Sequence, residues 1–352
     1  MRIVVTGATG NVGTSVVRAL AGDPRVQEIV GVARRLPAWS PARTRWVSAD
    51  VERDDLRGLF AGAGAVIHLA WLIQPSRDAR ELERVNVRGS RRVFEAVAEA
   101  GVPALVHASS VGVYSPGSKD RAVDESWPRD GIASSFYARH KAIAERALDE
   151  IEAGTPALRV VRLRPALIFK REAGAEVRRL FAGPLLPARL LRPGVLPILP
   201  LPERLVVQGV HADDVAEAYR LAALSDDARG AYNIAADPVL DPATLAGLFR
   251  ARHVRVPAGV LRVLADVTWR ARLQPTPPGW LDMGLAVPRL DTRRAREELG
   301  WAPRRSATAA LSELLEGMRT PAGFDTPPLD AHAGGPLRVR EFLTGIGRRV
   351  YE

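Results

Sequence analysis

The stretch "RIVVTGATGNVGTSVVRAL", from Arg2 to Leu20, constrains this chain more than any other. An apolar run reads as a buried strand, glycines follow at Gly7, Gly10 and Gly13, and an amphipathic helix begins at once. Each glycine has its own physical use. Gly7 permits the tight turn from strand to helix, Gly10 lets backbone approach a pyrophosphate with no Cβ in the way, and Gly13 lets the helix pack closely on the strand. The N–H groups of Asn11 and Val12 open the helix, where unpaired donors and the macrodipole favour an anion. Glycines at this spacing are a weak signal alone. Between a strand and a helix, at the head of a strand–helix series, they read as a dinucleotide cradle rather than a plain turn.

About twenty residues on, such a fold places an acidic residue on the adenosine ribose. Here the second strand ends "GVARR", with Ala33 in that place and Arg34 and Arg35 beside it. A guanidinium suits a 2′-phosphate better than a free hydroxyl, so NADP is favoured over NAD, with Arg34 as its contact.

The rest of the first half continues the alternation: "EIVGVAR", "TRWVSADV", "AVIHLAW", "ALVHASS" and "ALRVVRLRP" read as strands, with amphipathic helices between them. This predicts an α/β fold, a doubly wound parallel sheet of Rossmann type with right-handed crossovers and a smaller C-terminal α/β lobe. The expected division is a dinucleotide-binding domain over 1–165 plus about 206–236, and a substrate lobe over 166–205 and 237–320. The Pro/Gly-rich residues 321–352 read as a loosely ordered tail. The leucine- and proline-rich stretch from Gly183 to Pro202 reads as a substrate-side loop, with contact to a membrane surface as the lesser alternative.

The 352 residues include no cysteine, which excludes disulfides and thiolate metal sites. The net charge of +10 reads as a solvated arginine-rich surface, in part answering an anionic cofactor. The arginines are scattered and lack an aromatic platform, so no nucleic-acid partner is expected. No apolar run reaches membrane-spanning length and no signal-peptide pattern opens the chain, so a cytoplasmic location is expected. None of the six histidines lies at metal-ligand spacing, and no metal is expected. Asp213 and Asp214, at the head of a predicted helix, read as caps.

Tyr137 and Lys141 in "YARHK" stand four apart, on one helix face. A nearby ammonium favours the phenolate, so Lys141 is expected to lower the pKa of Tyr137 and let it pass a proton near neutrality. The preceding strand ends "HASSVGVY", which sets Ser110 where strand ends face the cofactor crevice.

With "TGATGNVG", "ADV", "HLAW", "NVRGSRRVFEA", "SSVGVY", "YARHK", "RLRP" and "VHADDVAEA" in this order over residues 1 to about 235, the chain resembles an extended short-chain dehydrogenase/reductase. That group includes the sugar-nucleotide epimerases and dehydratases. The resemblance implies Tyr137 as catalytic acid/base, Lys141 lowering its pKa and holding the nicotinamide ribose, and Ser110 orienting the substrate oxygen. It implies Asp50 and Val51 against the adenine, Leu69 and Ala70 along the pyrophosphate and ribose path, Asn86 supporting the strand end, and Pro165 or Ala166 beside the nicotinamide. It also implies a homodimer paired through helices at about 88–100 and 136–153. The 4,6-dehydratases of the group carry Asp-Glu where this chain has Val111 and Gly112, which counts against elimination of water. The expected activity is an NAD(P)-dependent oxidoreductase moving a hydride between cofactor and a small-molecule carbonyl or alcohol. A nucleotide-sugar epimerase is the alternative, and a non-catalytic NADP-sensing protein a further one.

Overall fold

The computed structural model describes residues 1–183 and 187–333. The first apolar run forms β1 (Arg2–Thr6), and the glycine turn feeds α1 (Asn11–Ala21), which stops at Gly22. β2 (Glu28–Ala33), β3 (Thr44–Ser48), α2 (Arg57–Phe60) and β4 (Ala65–His68) follow. α3 (Ala79–Glu83) runs through a π-helical turn at Arg84–Gly89 into α4 (Ser90–Glu99). Then come β5 (Ala104–Ala108), β6 (Ala122–Val123), α5 (Phe136–Gly154), β7 (Arg159–Pro165) and β8 (Leu167–Phe169).

Beyond these lie α6 (Gly174–Val177), β9 (Ile198–Leu201), β10 (Val207–His211), α7 (Ala212–Leu224), β11 (Gly230–Ile234) and β12 (Ala236–Leu240). The chain continues with α8 (Pro242–Phe249), β13 (Arg252–Arg255), α9 (Ala258–Arg270) and α10 (Gly279–Ala286). β14 (Arg289–Leu290), α11 (Arg293–Leu299) and α12 (Ala307–Arg319) complete it.

Seven strands form one parallel sheet in the order β11-β7-β5-β4-β1-β2-β3. Strand alternation sends Ile3 and Val5 into a core with Val16, Leu20 and Tyr219, on the side of α1 and α7. Val4 enters a second core with Phe60, Phe94 and Leu148, on the side of α2, α4 and α5. Both faces are therefore covered, which is why the strands read as continuous apolar runs. Each such side chain, fully buried, contributes roughly 1.5–3 kcal/mol. The strand order reverses at β1, whose neighbours are β2 and β4, and a crevice opens at the carboxyl ends there.

The structure departs from the sequence reading in four places. β10 leaves the main sheet and joins β8 and β12 in a separate three-stranded sheet, although α7 after it packs on α1. Residues 321–333 are not loose: Leu329 is fully buried, Thr326 Oγ1 donates to the Thr9 carbonyl at 2.8 Å, and Phe324 meets Trp39 edge-on. The remaining part of the expected tail, 334–352, lies outside the described residues, as do 184–186 of the leucine-rich stretch. The arginines are not all surface charges. Arg159, Arg162 and Arg164 of β7 are buried, Arg159 donating to the carbonyls of Ala222 and Ala228.

Asp213 and Asp214 do not cap α7. His211 does, its Nδ1 accepting from the Asp213 N–H. Asp213 accepts from Ser15 Oγ at 2.7 Å, and Asp214 accepts from the backbone N–H groups of Arg304 and Arg305.

Candidate active site

The carboxyl ends of the parallel strands gather the candidate residues along one edge. Gly7 has φ +70°, and a Cβ there would lie 2.6 Å from the Ala70 nitrogen and 2.8 Å from the Leu69 carbonyl carbon. β1 and the end of β4 thus meet only because residue 7 has no side chain. A Cβ on Gly13 would lie 2.3 Å from the Gly7 oxygen, so α1 sits directly on the turn. A Cβ on Gly10 would meet nothing closer than 3.5 Å, so nothing inside the protein demands glycine there. The open face over Gly10, at the N-terminus of α1, fits an anionic group at this helix end.

A further cation lies beneath. The Lys170 ammonium is buried and donates to the Asn11 carbonyl, Thr14 Oγ1 and Ser15 Oγ, and burial brings its pKa down to about 8. No motif marks it in the sequence, because it arrives from β8 across the fold.

At the adenosine end, Ala33 closes β2, and the exposed Arg34 and Arg35 follow. Asp50 and Val51 lie past the end of β3, with Asp50 Oδ1 accepting from the Glu52 N–H and the Val51 carbonyl accepting from Arg92 Nε. Asn86, fully buried in the π-helical turn, accepts from the Leu72 N–H at 2.7 Å and donates to the Leu72 carbonyl at 2.8 Å. It clamps the loop that carries Leu69, Ala70 and Trp71. Pro165 ends β7 opposite Ile234, and the Ala166 N–H donates to the Ile234 carbonyl.

Ser110 follows β5, buried, its Oγ accepting from the Gly112 N–H at 3.1 Å. Ser135 caps α5, and Tyr137 and Lys141 lie on its first turns. Burial raises the Tyr137 pKa, and a hydrogen bond with Ser110 offsets part of the rise. This corrects the expected lowering by Lys141. The lysine ammonium lies 5.8 Å from the centroid of the Tyr137 ring, but it donates to the Ala108 carbonyl at 2.5 Å and lies closer, 3.5 Å, to the centroid of the Trp71 ring. Its own pKa falls to about 7 through burial.

Aromatic side chains wall this centre. Trp71 meets Tyr137 edge-on at 6.0 Å, Trp280 lies 4.9 Å from Tyr137, and Phe181 meets Trp280 at 5.0 Å. The Met283 sulfur abuts the space over Gly112. α10 brings Trp280 and Met283 here because Gly279 packs on Ser134 with no room for a Cβ. Sequence reasoning gave these residues no role, since they come from the lobe and from distant segments with no shared spacing.

A buried ion pair supports the centre from below. Arg164 donates from Nε and Nη2 to the two Glu145 oxygens at 2.9 and 2.6 Å, and from Nη1 to Tyr114 Oη at 3.0 Å. Tyr114 donates to Asn233 Oδ1, and Ser109 donates to Glu145 at 2.5 Å. His68 bridges Thr6 and Ser90 and is kept neutral by burial, with a pKa near 3. Among the described residues no cluster of three or more His, Cys, Asp or Glu side chains could hold a metal ion.

Comparison with known proteins places this geometry. The chain is 28% identical over 327 residues to an uncharacterized protein of Mycobacterium tuberculosis, covering 92% of this chain and 31% of that protein. The chain thus spans about a third of the length of the first curated relatives it matches. It is 32% identical over 155 residues to human 3 beta-hydroxysteroid dehydrogenase type 7, covering 40% of this chain and 42% of that one. Its fold is similar to that of the UDP-glucose 4-epimerase of Thermus thermophilus in complex with NAD, with TM-score 0.65 and 21% identity over 91% of this chain and 99% of that one. The description "NAD dependent epimerase/dehydratase family" matches residues 3–235, two thirds of the chain and the whole arc from the glycine turn past β11. With the glycine cradle, the seven-stranded sheet and the Ser110–Tyr137–Lys141 centre on one crevice, this chain belongs to the NAD dependent epimerase/dehydratase family, a family of enzymes.

Proposed function

We propose that the chain is an NAD(P)-dependent oxidoreductase of the extended short-chain type, acting on an apolar carbonyl or alcohol. The observation that carries this reading is the wall of Trp71, Trp280, Phe181 and Met283 around Tyr137. Such a lining favours an apolar skeleton, with the unpartnered indole N–H groups of Trp71 and Trp280 as its buried donors. The similarity to human 3 beta-hydroxysteroid dehydrogenase type 7 supports the same substrate class.

The dinucleotide, when bound, supplies or accepts the hydride. Gly7, Gly10, Asn11, Val12 and Gly13 cradle its pyrophosphate, with Leu69 and Ala70 alongside. Asp50 and Val51 flank the adenine, Pro165 flanks the nicotinamide, and Asn86 holds the strand end. Ser110 positions the substrate oxygen, and Tyr137, a protonated phenol at neutral pH, gives that oxygen its proton during reduction. Lys141 holds the nicotinamide ribose. A homodimer through α4 and α5, a cytoplasmic location and the NADP preference belong to the same proposal. Among the described residues no helix is long and apolar enough to cross a membrane.

A nucleotide-sugar epimerase is the second reading, favoured by the fold shared with the Thermus enzyme. A dinucleotide sensor without activity has no need of Ser110, Tyr137 and Lys141 together. The deciding experiment follows NAD(P)H oxidation by purified protein with apolar cyclic ketones, and epimerisation of UDP-glucose in parallel. Ketone turnover with exchange of dinucleotide is the expected result; UDP-sugar interconversion on a retained dinucleotide would overturn it. For the adenosine end, Arg34→Ala is expected to weaken NADP about tenfold and leave NAD unchanged, the scale of one lost charged hydrogen bond.

A further inference from the structure

Among the described helices of eight residues or more, α9 is the one with no buried residue. Val260, Val263, Leu264 and Val267 are 59, 62, 56 and 55% exposed. Their spacing of three and four puts all of them on one stripe of the helix. Leu273, just beyond its end, is exposed as well. Single exposed leucines and valines are ordinary on a soluble surface; a continuous stripe of large ones marks an interaction face.

The helix is held to the body from another side. Trp269 Nε1 donates to Ser76 Oγ at 3.4 Å, the Arg77 guanidinium lies 4.6 Å over the Trp269 ring, and Arg77 donates to the Trp269 carbonyl. The stripe therefore points outward by construction.

Charge selects the partner. From Arg250 to Leu273 the chain carries six arginines and a single acid, Asp266. Asp266 pairs with Arg270, Asp282 with Arg262 and Glu203 with Arg255, which still leaves six arginines against three acids. A second copy meeting this face about a two-fold axis would set arginine against arginine, a costly match. An anionic bilayer surface reverses that sign and accepts an apolar stripe at the boundary of headgroups and acyl chains.

We propose that α9 docks the chain on the surface of an anionic lipid bilayer. Val260, Val263, Leu264 and Val267 enter the boundary layer, and the exposed arginines beside the stripe, Arg270 and Arg272 among them, meet lipid phosphates. A cavity of about 700 Å³ opens at the start of this helix, between Val256, Pro257 and Ala258 on one side and Leu285 and Ala286 of α10 on the other. Docking sets that cavity, which none of Ser110, Tyr137 and Lys141 lines, beside the lipid boundary.

The test is flotation of the full chain with vesicles of phosphatidylglycerol mixed with phosphatidylcholine, and with vesicles of phosphatidylcholine alone, without substrate. The chain is expected to float with the anionic vesicles, less so at high salt. Val263→Glu combined with Leu264→Glu is expected to cut partitioning about tenfold or more, with an unchanged thermal melt because both side chains are exposed. Val260→Ser combined with Val267→Ser is expected to act in the same direction. Wild-type protein that stays soluble with anionic vesicles would overturn the proposal, and so would variants that float as well as wild type. A wild-type dimer turned monomeric by these substitutions would assign the stripe to self-association instead. Vesicle binding is read without catalysis, so its failure leaves the oxidoreductase reading standing.

Discussion

The Lys141 ammonium faces the Trp71 ring at 3.5 Å from its centroid while donating to the Ala108 carbonyl. The cation is thus shared between the end of β5 and the loop after β4, the two segments that border the crevice. Asn86 fixes that loop from behind through both Leu72 backbone groups.

Burial holds the Lys141 pKa at about 7, below the usual 10.5. Between these values the unfolded chain binds a proton that the native chain lacks, so stability rises with pH across that window. Below about 7 both states are charged and the cost of burying the cation is complete. Urea denaturation over a pH series should therefore show a rise for wild type that is shallower in Lys141→Met, the other groups titrating alike in both. Trp71→Leu removes a ring contact worth about 2 kcal/mol when desolvated, and should push the lower edge of the window further down.

A phenol is protonated at neutral pH, and burial moves the Tyr137 pKa further up. Carbonyl reduction should run flat through the neutral range, whereas alcohol oxidation, which needs the phenolate, should rise with pH. Tyr137→Phe should lose about 10²–10⁴-fold in kcat with dinucleotide affinity retained. Steady-state rates in both directions and a cofactor titration check this; an unchanged kcat would remove Tyr137 from the chemistry.

Gly10 and Gly13 should separate in their effects. Gly13→Ala forces a Cβ to 2.3 Å from the Gly7 oxygen and should unfold or strongly destabilise the protein, seen as a lower Tm. Gly10→Ala meets only ordinary contacts and should keep its Tm, yet lose dinucleotide binding by calorimetry. A Gly10→Ala protein that binds normally would show that the pyrophosphate does not pass this point.

Glu145 and Arg164 are buried together, and Glu145 is held below the usual carboxylate range by the Arg164 guanidinium against the opposing effect of burial. Glu145→Gln or Arg164→Met should cost about 3–5 kcal/mol by denaturation, since each leaves a buried charge without its main partner. Replacing both should cost less than the two single changes combined. The wild-type contribution of Glu145 should be present above its unfolded pKa and be lost as pH falls through the lower native value.

The glycine turn, the strand–helix alternation and the pair Tyr137–Lys141 were readable because local spacing carries them: a turn, a period and one helix face. Arg164, Lys170 and His211 were not. Nothing local distinguishes a buried arginine in "RLRP" from a surface one, and its partner Glu145 lies nineteen residues back, on α5. Tyr137 shows the same limit from the opposite side. Its place beside Lys141 was visible in the spacing, but the direction of its pKa shift was not, because burial outweighs the neighbour and burial belongs to the packed state.

The sequence by itself determined that a parallel sheet would form and that its first strand would turn through glycines straight into a helix, because backbone sterics and hydrophobic period act within a few residues. Only the tertiary structure decided what surrounds the reacting group. Trp71, Trp280, Phe181 and Met283 converge on Tyr137 from separate segments. Contact between them depends on how the lobe seats against α5, where Gly279 meets Ser134. Such long-range packing has no period to announce it.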